Sequence, residues 1–502
     1  MMNEIISLLA SDGTTVRFYN EIKASGGMKD VYFSPDRSYV VAFFRDRNNA
    51  ATKERLAMIT GQYRERIFNQ PNGDYWKSLY CWPTATVEHQ GRLGVVVPFY
   101  ASNFFFEYGS QQNDMLGIKG KEKEGKWFAS PSNRQRFLDA RELGDWLNHL
   151  KNCLMIARSV RRLHAAGLAH SDLSYKNVLV DPVTGRACLI DLDGLVVPNK
   201  FPPDVVGTPD FIAPECVKTA RLDKHDPKRV LPSILTDQHA LAVLIYMYLL
   251  YRHPLRGDKV HDAKDSQHDE ELAMGEHALF VEHPTDHSNS INPEHAKPSE
   301  LPWKDTAKTP YILTGSYLAP LFERAFIDGL HHPHLRPTAD EWEHALVKTV
   351  DLIQPCQNPQ CAQKWYVFDN KTKPKCPFCG TPFHGKLPVL NLYSSHQEGR
   401  FLPDNHRLMV YSNQSLFLWH VNRTIFPNER LTPEQKKRVG YFVFHQNVWW
   451  LVNEGMSDLM DTDSKEQFAI GSKVELKEGR KLLLARGEGG RLVVVQMVEC
   501  VS

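Results

Sequence analysis

The sequence lacks an excess of charge of either sign. Among its 502 residues, 60 Lys and Arg residues balance 59 Asp and Glu residues, which gives a net charge of +1. Proteins that bind nucleic acid or anionic membranes commonly carry a strongly basic surface, so the composition indicates neither partner. No run of about 18 apolar residues is present, so no membrane-spanning helix is predicted. The start of the chain lacks a basic segment followed by an apolar core, so no signal peptide is predicted and a cytoplasmic location is expected.

Cysteine is scarce as well, with nine residues in the chain. Four of them lie close together between positions 356 and 379, a spacing that indicates a metal site. A chain of this length exceeds what one hydrophobic core supports, so roughly two to four domains are expected. The five scattered cysteines are expected to be small buried hydrophobic side chains: Cys81, Cys153, Cys188, Cys216 and Cys500.

The first hundred residues carry alternating patterns and turn signals. The stretch "VYFSPDRSYVVAFF" predicts a hairpin over residues 31–44, and "TATVEHQGRLGVVVPFY" predicts another over residues 84–100. A polar stretch over residues 109–136 is predicted to be a solvated loop. Between the two hairpins, four apolar residues at helical spacing predict a helix with one buried face: Leu56, Ile59, Tyr63 and Ile67.

Helical patterns dominate from residue 137 to residue 350. One long amphipathic helix is predicted to end at Gly167, a C-cap residue. The apolar stretch "DQHALAVLIYMYLLYRHP" predicts a buried helix, because it is too short to span a membrane. Residues 258–310 are polar and rich in His, but without tight ligand spacing an irregular insertion is favoured over a metal site. Strand patterns return from residue 386 to the end.

Two acidic stretches lie close together in the helical part. In "HSDLSYKNVLV", Asp172 is followed five residues later by Asn177, and "LIDLDG" contains Asp191 and Asp193. Asp and Asn are poor strand formers and costly to bury unpaired, so their position around two short apolar runs indicates a site. A set of turns and caps made by these side chains is the alternative interpretation.

This arrangement resembles the catalytic core of the protein kinases, in which H-R-D-x-x-x-x-N is followed by a hairpin and D-F-G. The resemblance implies that Asp172 is the base that orients the acceptor hydroxyl, and that Asn177 and Asp191 are ligands of Mg²⁺. Asp193 stands where the family has Gly, so an alignment in which Asp193 is the ligand stays open.

Further matches follow in the family's order. "GTPDFIAPE" resembles the end of an activation segment, and the next helix carries Asp237, which the resemblance places beneath the catalytic loop. "HLRPTADEW" supplies Arg336, expected to pair with Glu215. Ser171 replaces the family's usual Arg, so control by a phosphorylated activation loop is not expected, and Thr208 is interpreted as a substrate-platform residue. The resemblance covers about residues 15–350.

The family's usual phosphate-binding lysine is absent, because "VVAFF" places Phe44 at that position. "ASGGMKDVY" resembles the family's Gly-rich loop and carries Lys29, which shares a strand face with Val31. The with-no-lysine kinases resemble this arrangement. An exposed loop lysine is the alternative interpretation, and Glu54 or Glu65 is the expected acidic partner. The implied ATP-contacting residues are Ala24, Gly26, Gly27, Lys29, Val31 and Ala42.

The clustered cysteines form C-x₄-C and C-x₂-C pairs. This spacing matches a zinc ribbon, in which four thiolates give a closed tetrahedral and therefore structural site. Disulfides are the alternative, disfavoured in a cytoplasmic chain. The expected Zn²⁺ ligands are Cys356, Cys361, Cys376 and Cys379.

The carboxyl-terminal part resembles a forkhead-associated β-sandwich through "WWLVNEG" and the segment that follows. Such domains bind phosphothreonine, and "HVNRTIFPNE" offers Arg423 and Asn422 for this, but no phosphopeptide residues are assigned. A β-sandwich used for packing or protein contact is the alternative.

The predicted fold is α+β: a bilobal kinase-like fold followed by a zinc ribbon and an all-β sandwich. The predicted domains are a kinase N-lobe at 1–100, a C-lobe at 101–350, the ribbon at 351–385 and the sandwich at 386–502.

The predicted function is that of an ATP- and Mg²⁺-dependent Ser/Thr protein kinase. A pseudokinase scaffold that recruits partners through its carboxyl-terminal domain is the alternative, and a small-molecule phosphotransferase is a third hypothesis. Resemblance to bacterial kinases of tellurium-resistance gene clusters implies a PP2C-type phosphatase and a von Willebrand A-type protein as partners.

Overall fold

The predicted amino-terminal hairpins form, and they join into one sheet. The computed structural model describes residues 4–25, 28–45, 50–197, 200–201, 207–223, 226–368, 374–397 and 399–500. The strands are β1 (Ile5–Leu9), β2 (Thr15–Tyr19), β3 (Ala24–Ser25), β4 (Lys29–Phe33), β5 (Tyr39–Phe44), β6 (Ala85–His89) and β7 (Arg92–Pro98). Strands β3 to β7 form an antiparallel sheet in the order β3-β4-β5-β7-β6, and β1 and β2 form a separate antiparallel pair that shares an apolar cluster with this sheet.

Alternation along β5 gives this sheet two buried faces. Val41 and Phe43 pack into a cluster on one face, and Ala42 packs with Leu56 on the other. The pairing of β4 with β5 places Lys29 opposite Phe44. Because side chains alternate with a period of two, this register fixes which residues of β4 face the same way as Ala42.

The helix between the two hairpins is confirmed with its predicted face. It runs as α1 (Ala50–Met58), a π-helical turn (Ile59–Tyr63) and α2 (Arg64–Phe68), and a short α3 (Gly73–Lys77) follows. The helix therefore packs through the apolar stripe that its sequence predicts, since all four predicted residues are buried: Leu56, Ile59, Tyr63 and Ile67.

The central part of the chain is mostly helical, with one hairpin. The predicted buried helix is confirmed as α8, whose residues are buried almost throughout. Within the described ranges no helix is both long and apolar enough to cross a bilayer. The elements are α4 (Gln111–Asp114), α5 (Pro131–Arg136), α6 (Trp146–Ala165), β8 (Val178–Asp181), β9 (Arg186–Leu189), α7 (Pro214–Thr219), α8 (Ile234–Leu250), α9 (Ser266–Met274), α10 (Ala319–Glu323) and α11 (Ala339–Val350).

The prediction of a solvated loop over residues 109–136 is wrong in part. Lys123 is buried, and its Nζ lies 3.0 Å from Glu142 and 3.3 Å from Asp181. The polar composition of this stretch gave no sign of these partners, because both acids lie elsewhere in the sequence. A buried charge requires such pairing, so Lys123 connects the stretch over residues 109–136 to Glu142 and Asp181.

A second antiparallel arrangement forms the carboxyl-terminal part. One sheet has the order β13-β12-β20-β19-β17 and the other β14-β15-β16-β18, and both contribute to one apolar cluster. The elements are β10 (Ile353–Pro355), β11 (Trp365–Val367), β12 (Gly385–Gln397), β13 (Arg400–Met409), β14 (Ser415–Phe417), α12 (Leu418–Val421), β15 (Arg438–His445), β16 (Val448–Asn453), β17 (Met460–Asp461), β18 (Lys473–Glu475), β19 (Lys481–Leu483) and β20 (Arg491–Cys500).

Contacts divide the chain into two units. The first comprises residues 1–144, 148–311 and 320–343, and the second comprises 145–147, 312–319 and 344–502. The candidate site described below lies in the first unit, and the cysteine cluster lies in the second.

A buried ion pair joins α7 to the segment before α11. Both guanidinium nitrogens of Arg336 donate to the Glu215 carboxylate at 2.8 Å, as the sequence predicts. The Arg336 side chain is 1% exposed and also donates to backbone carbonyls, including that of Leu235 at 2.9 Å. Water could therefore replace Arg336 as the partner of the Glu215 carboxylate only at a high cost in free energy.

Replacement of Arg336 by Ala should lower the free energy of unfolding by about 3–5 kcal/mol, because Glu215 is left without its counter-ion. Urea denaturation followed by circular dichroism measures the change. Lys218→Ala is the matched control, since it removes an exposed pair with Glu276 from the same helix and should cost less than about 1 kcal/mol. Equal midpoints for Arg336→Ala and the wild type would contradict a stabilising role of the buried pair.

Candidate active site

A loop between α6 and β8 carries Asp172, and α8 holds this loop from one side. The Asp237 carboxylate accepts the backbone N–H of His170 at 2.6 Å and that of Ser171 at 3.1 Å. Ser171 adopts left-handed backbone geometry, with φ at 69°, which is uncommon for a residue other than Gly. The two hydrogen bonds to an ionised acceptor therefore stabilise an otherwise unfavourable loop conformation.

Asp172 is held at both carboxylate oxygens. Asn177 Nδ2 donates to Asp172 Oδ2 and to the Asp172 backbone carbonyl, each at 2.9 Å. Thr208 Oγ1 donates to Asp172 Oδ1, also at 2.9 Å, and Thr208 is buried. The sequence brings Asp172 and Asn177 together through their spacing, whereas the approach of Thr208 depends on how the chain folds back and was not predicted.

Lys29 lies between two carboxylates at the end of β9. Its Nζ is 2.6 Å from Asp191 Oδ1 and 2.8 Å from both oxygens of Asp193. The Asp193 side chain is 6% exposed and that of Asp191 is 47% exposed. Asp191 also has left-handed backbone geometry, with φ at 59°. Residues with such unfavourable geometry cluster at functional sites, so this conformation adds to the evidence from the charges.

Electrostatics keep Lys29 charged at neutral pH. Burial alone would lower the pKa of Lys29, but the carboxylates of Asp193 and Asp191 outweigh burial and raise it. Burial raises the pKa of Asp193, whereas the ammonium of Lys29 overcomes burial and lowers the pKa of the more exposed Asp191. The site thus holds a protonated amine beside a carboxylate that ionises readily.

Phe44 occupies the position at which the protein kinases usually have their phosphate-binding lysine. The Lys29 Nζ lies 5.6 Å from the centroid of the Phe44 ring, within the range of a cation–π contact. The strand register places the two residues directly opposite each other. A side chain from β4 therefore brings a positive charge to the part of the cleft beside residue 44.

A cavity of about 580 Å³ opens beside these charges. This volume lies within the usual range for small-molecule sites. Its apolar wall includes Val31 and Ala42, and its polar end includes Lys29, Asp191 and Asp193. Of the other predicted nucleotide contacts, Ala24 also lines the cavity, whereas Gly26 and Gly27 lie outside the described residues.

Helix α1 does not supply the expected acidic partner of Lys29. Glu54 is exposed and its carboxylate lies 3.2 Å from Lys200, and Glu65 is not among the described contacts of Lys29. The same helix instead buries Arg55, and burial lowers the pKa of this guanidinium although the charge of Asp193 opposes the shift. Sequence analysis missed Arg55; the available signal was its position four residues before Ile59, at the edge of the apolar stripe.

The four clustered cysteines come together as their spacing predicts. Their sulfur atoms all lie within 4.8 Å of one another. Cys356 Sγ is 3.5 Å from Cys379 Sγ, and Cys361 Sγ is 3.8 Å from Cys376 Sγ. Disulfide bonds require about 2.05 Å, whereas a tetrahedral site with Zn–S bonds of about 2.3 Å separates its sulfurs by about 3.8 Å. The cluster could therefore hold a zinc ion.

Comparison with known proteins finds a family match in the central part of the chain. Residues 133–320 match the protein kinase domain. This kinase-domain match contains Asp172, Asn177, Asp191 and Asp237, and it begins after the strand that carries Lys29. It supports the protein kinase superfamily and a kinase-like fold for this part of the chain.

The chain is also similar in part to proteins named as kinases. Over 70 residues the chain is 37% identical to a dual serine/threonine and tyrosine protein kinase of Apis mellifera, a match that covers 14% of this chain and 7% of that protein. Among solved structures, a Toxoplasma gondii rhoptry kinase aligns with a TM-score of 0.40 and 14% identity over 69% of this chain and 84% of that one. A Toxoplasma gondii rhoptry antigen kinase domain aligns with a TM-score of 0.35 and 15% identity over 61% and 86%.

Replacement of Asp237 by Ala should accelerate amide exchange at His170 and Ser171 by about tenfold or more, because both N–H groups lose a charged acceptor. Hydrogen–deuterium exchange mass spectrometry of the loop peptide measures this rate. Asp265→Ala is the matched control: Asp265 also accepts two backbone N–H groups, at the start of α9, and its loss should leave the loop unaffected. Unchanged exchange in Asp237→Ala would contradict the role assigned to Asp237.

Proposed function

We propose that this protein is an ATP- and Mg²⁺-dependent protein kinase that transfers the γ-phosphate to Ser or Thr hydroxyls of a protein partner, with Lys29 as its phosphate-binding lysine. The observation that carries the proposal is the position of the Lys29 ammonium, in contact with Asp191 and Asp193 at the polar end of the cavity. The kinase-domain match supports the reaction class. The relative from Apis mellifera is named as a dual serine/threonine and tyrosine protein kinase.

The residues around the cavity fit a magnesium nucleotide. A base fits against the apolar wall made by Val31, Ala42 and Val95, while Lys29 attracts the phosphates. Mg²⁺ prefers oxygen ligands, which Asp191 and Asn177 would supply. When bound, the metal ion would neutralise charge on the phosphates. Lys29 adds a second positive charge there, which is worth most in a site that excludes water.

Asp172 is placed to orient the acceptor. Its carboxylate would accept the proton of the attacking hydroxyl while the oxygen of that hydroxyl forms the new bond to phosphorus and ADP leaves. Hydrogen bonds from Asn177 and Thr208 fix the orientation of this carboxylate before any substrate arrives. Such preorganisation is the main contribution that a protein makes to phosphoryl transfer.

A protein acceptor is favoured over a small molecule. The Arg336 ion pair fixes the segment that holds Thr208 and Glu215 to the segment before α11. The family resemblance implies that this part of the chain is the platform for a peptide substrate. The alternative function is a scaffold without transfer activity. A scaffold does not need Asp172, Asn177, Asp191 and a cation in one cleft, so their presence favours the kinase function.

The remainder of the chain fits the predicted accessory domains. The cysteine cluster over residues 351–385 would be a structural zinc ribbon, and residues 386–502 a β-sandwich similar to forkhead-associated domains. Cys361 and Cys376 pack in the same apolar cluster as Leu387 and Val389 of β12, so the ribbon does not depend on metal alone for its packing. The expected partners stay those implied by the resemblance, a PP2C-type phosphatase and a von Willebrand A-type protein.

Lys29→Ala should reduce phosphate transfer from labelled ATP on the order of 10²-fold, because the positive charge at the phosphates is lost. The full chain is incubated with Mg·ATP, and incorporation into itself and into casein is measured by scintillation counting. Analysis of the labelled residues separates Ser and Thr from Tyr. Lys23→Ala is the matched control, since Lys23 pairs with Glu21 instead of facing the cavity. A wild type that neither binds Mg·ATP nor transfers phosphate would favour the scaffold function.

Purified protein should contain about one zinc ion per chain, and Cys376→Ser should lose it, because a closed site needs all four thiolates. Inductively coupled plasma mass spectrometry after dialysis measures the metal content. Cys153→Ala removes a buried thiol outside the cluster and should keep the zinc. Wild-type protein without zinc after expression in zinc-supplemented medium would contradict the ribbon.

A further inference from the structure

Lys29 touches two carboxylates, and the two contacts differ. Asp193 meets the ammonium with both oxygens at 2.8 Å and is almost fully buried. Asp191 meets it through a single oxygen at 2.6 Å and has a side chain that is nearly half exposed. A buried, two-point contact holds a flexible amine in one position, whereas a one-point contact at an exposed group is easily exchanged.

We propose that Asp193 is a positioning residue that holds Lys29 in the cleft, which leaves Asp191 as the carboxylate available to the metal. The inference rests on the proposed function and deepens it: the acidic partner of the lysine comes from the segment after β9 and not from helix α1.

Burial explains why the contact between Lys29 and Asp193 matters. The Lys29 side chain is 22% exposed and that of Asp193 is 6% exposed, so both groups are largely removed from water. A buried charge without a counter-charge is strongly unfavourable, so the ammonium and this carboxylate each offset the burial of the other.

The acidic residue of helix α1 does not compete for this role. Glu54 pairs with Lys200 and is largely exposed. The anion that holds the lysine therefore belongs to the segment after β9. This arrangement favours Asp191 over Asp193 as the metal ligand in "DLD", since a carboxylate already engaged by Lys29 at both oxygens is the poorer metal ligand.

The test measures equilibrium binding of a fluorescent ATP analogue to the full chain with and without Mg²⁺. The ratio of the two affinities reports the metal ligand and does not require turnover. Asp191→Asn should reduce this ratio to about one. Asp193→Asn should keep it within about twofold of the wild-type value. Glu122→Gln removes a different carboxylate that lines the cavity and reports the effect of charge alone. A ratio lost in Asp193→Asn and kept in Asp191→Asn would overturn the inference.

A double-mutant cycle tests whether Asp193 acts through Lys29. Asp193→Asn should lower kcat/KM by about tenfold or more in the wild-type background, since hydrogen bonds to charged groups are worth that much. In a Lys29→Ala background the same substitution should cause less than about a twofold loss. With Lys29 present, Asp193→Glu should keep part of the activity that Asp193→Asn loses. Losses that simply add in the double variant would contradict a positioning role.

Folding and function are separated by two further measurements. Lys29→Met combined with Asp193→Asn removes the cation and its buried anion together, so the binding ratio is measured on this variant if Asp193→Asn alone does not fold. A wild type that binds no nucleotide would contradict the proposed function and the inference with it. If the wild type binds Mg·nucleotide but the Mg²⁺ effect on affinity is lost in Asp193→Asn and kept in Asp191→Asn, the inference alone is contradicted.

Discussion

The ion pairs of Lys29 with Asp191 and Asp193 are the interaction on which the candidate site depends. An ammonium in a cleft is tolerated only when nearby carboxylates offset the cost of removing it from water. Here these carboxylates belong to a segment more than 160 positions away in sequence, and both lie within 2.8 Å of the amine. The contact therefore fixes the small sheet against the segment after β9 and also determines where positive charge lies in the cavity.

Strand register makes this arrangement possible. Lys29 stands opposite Phe44, and Val31 stands opposite Ala42. A shift of one residue in the pairing of β4 with β5 would turn Lys29 away from the cavity and place Asp30 there, because side chains alternate between faces. The lysine on β4 thus brings its charge beside residue 44, provided that the register is kept by the packing of Val41 and Phe43.

Local patterns in the sequence predicted most of the secondary structure, and they singled out residues that the structure brings together at the candidate site. The spacing of Asp172 and Asn177, and the alternation around Lys29, each constrain a few neighbouring residues and so can be recognised without a structure. The contacts of Thr208 and Lys123 could not be predicted, because each depends on a partner distant in sequence, and the burial of Arg55 was indicated only by its place at the edge of the apolar stripe. A buried cation has the same sequence signature as an exposed one until its counter-charge is located.

The left-handed backbone of Ser171 and Asp191 limits the side chains that these two positions accept. Glycine adopts such geometry without steric cost, whereas another residue there costs about 1 kcal/mol or more. Contacts around each residue offset that cost, since the Ser171 N–H donates to Asp237 and the Asp191 carboxylate meets the Lys29 ammonium. Glycine at position 191 would remove the backbone strain and this ion pair together, and a β-branched side chain would be strained at either position.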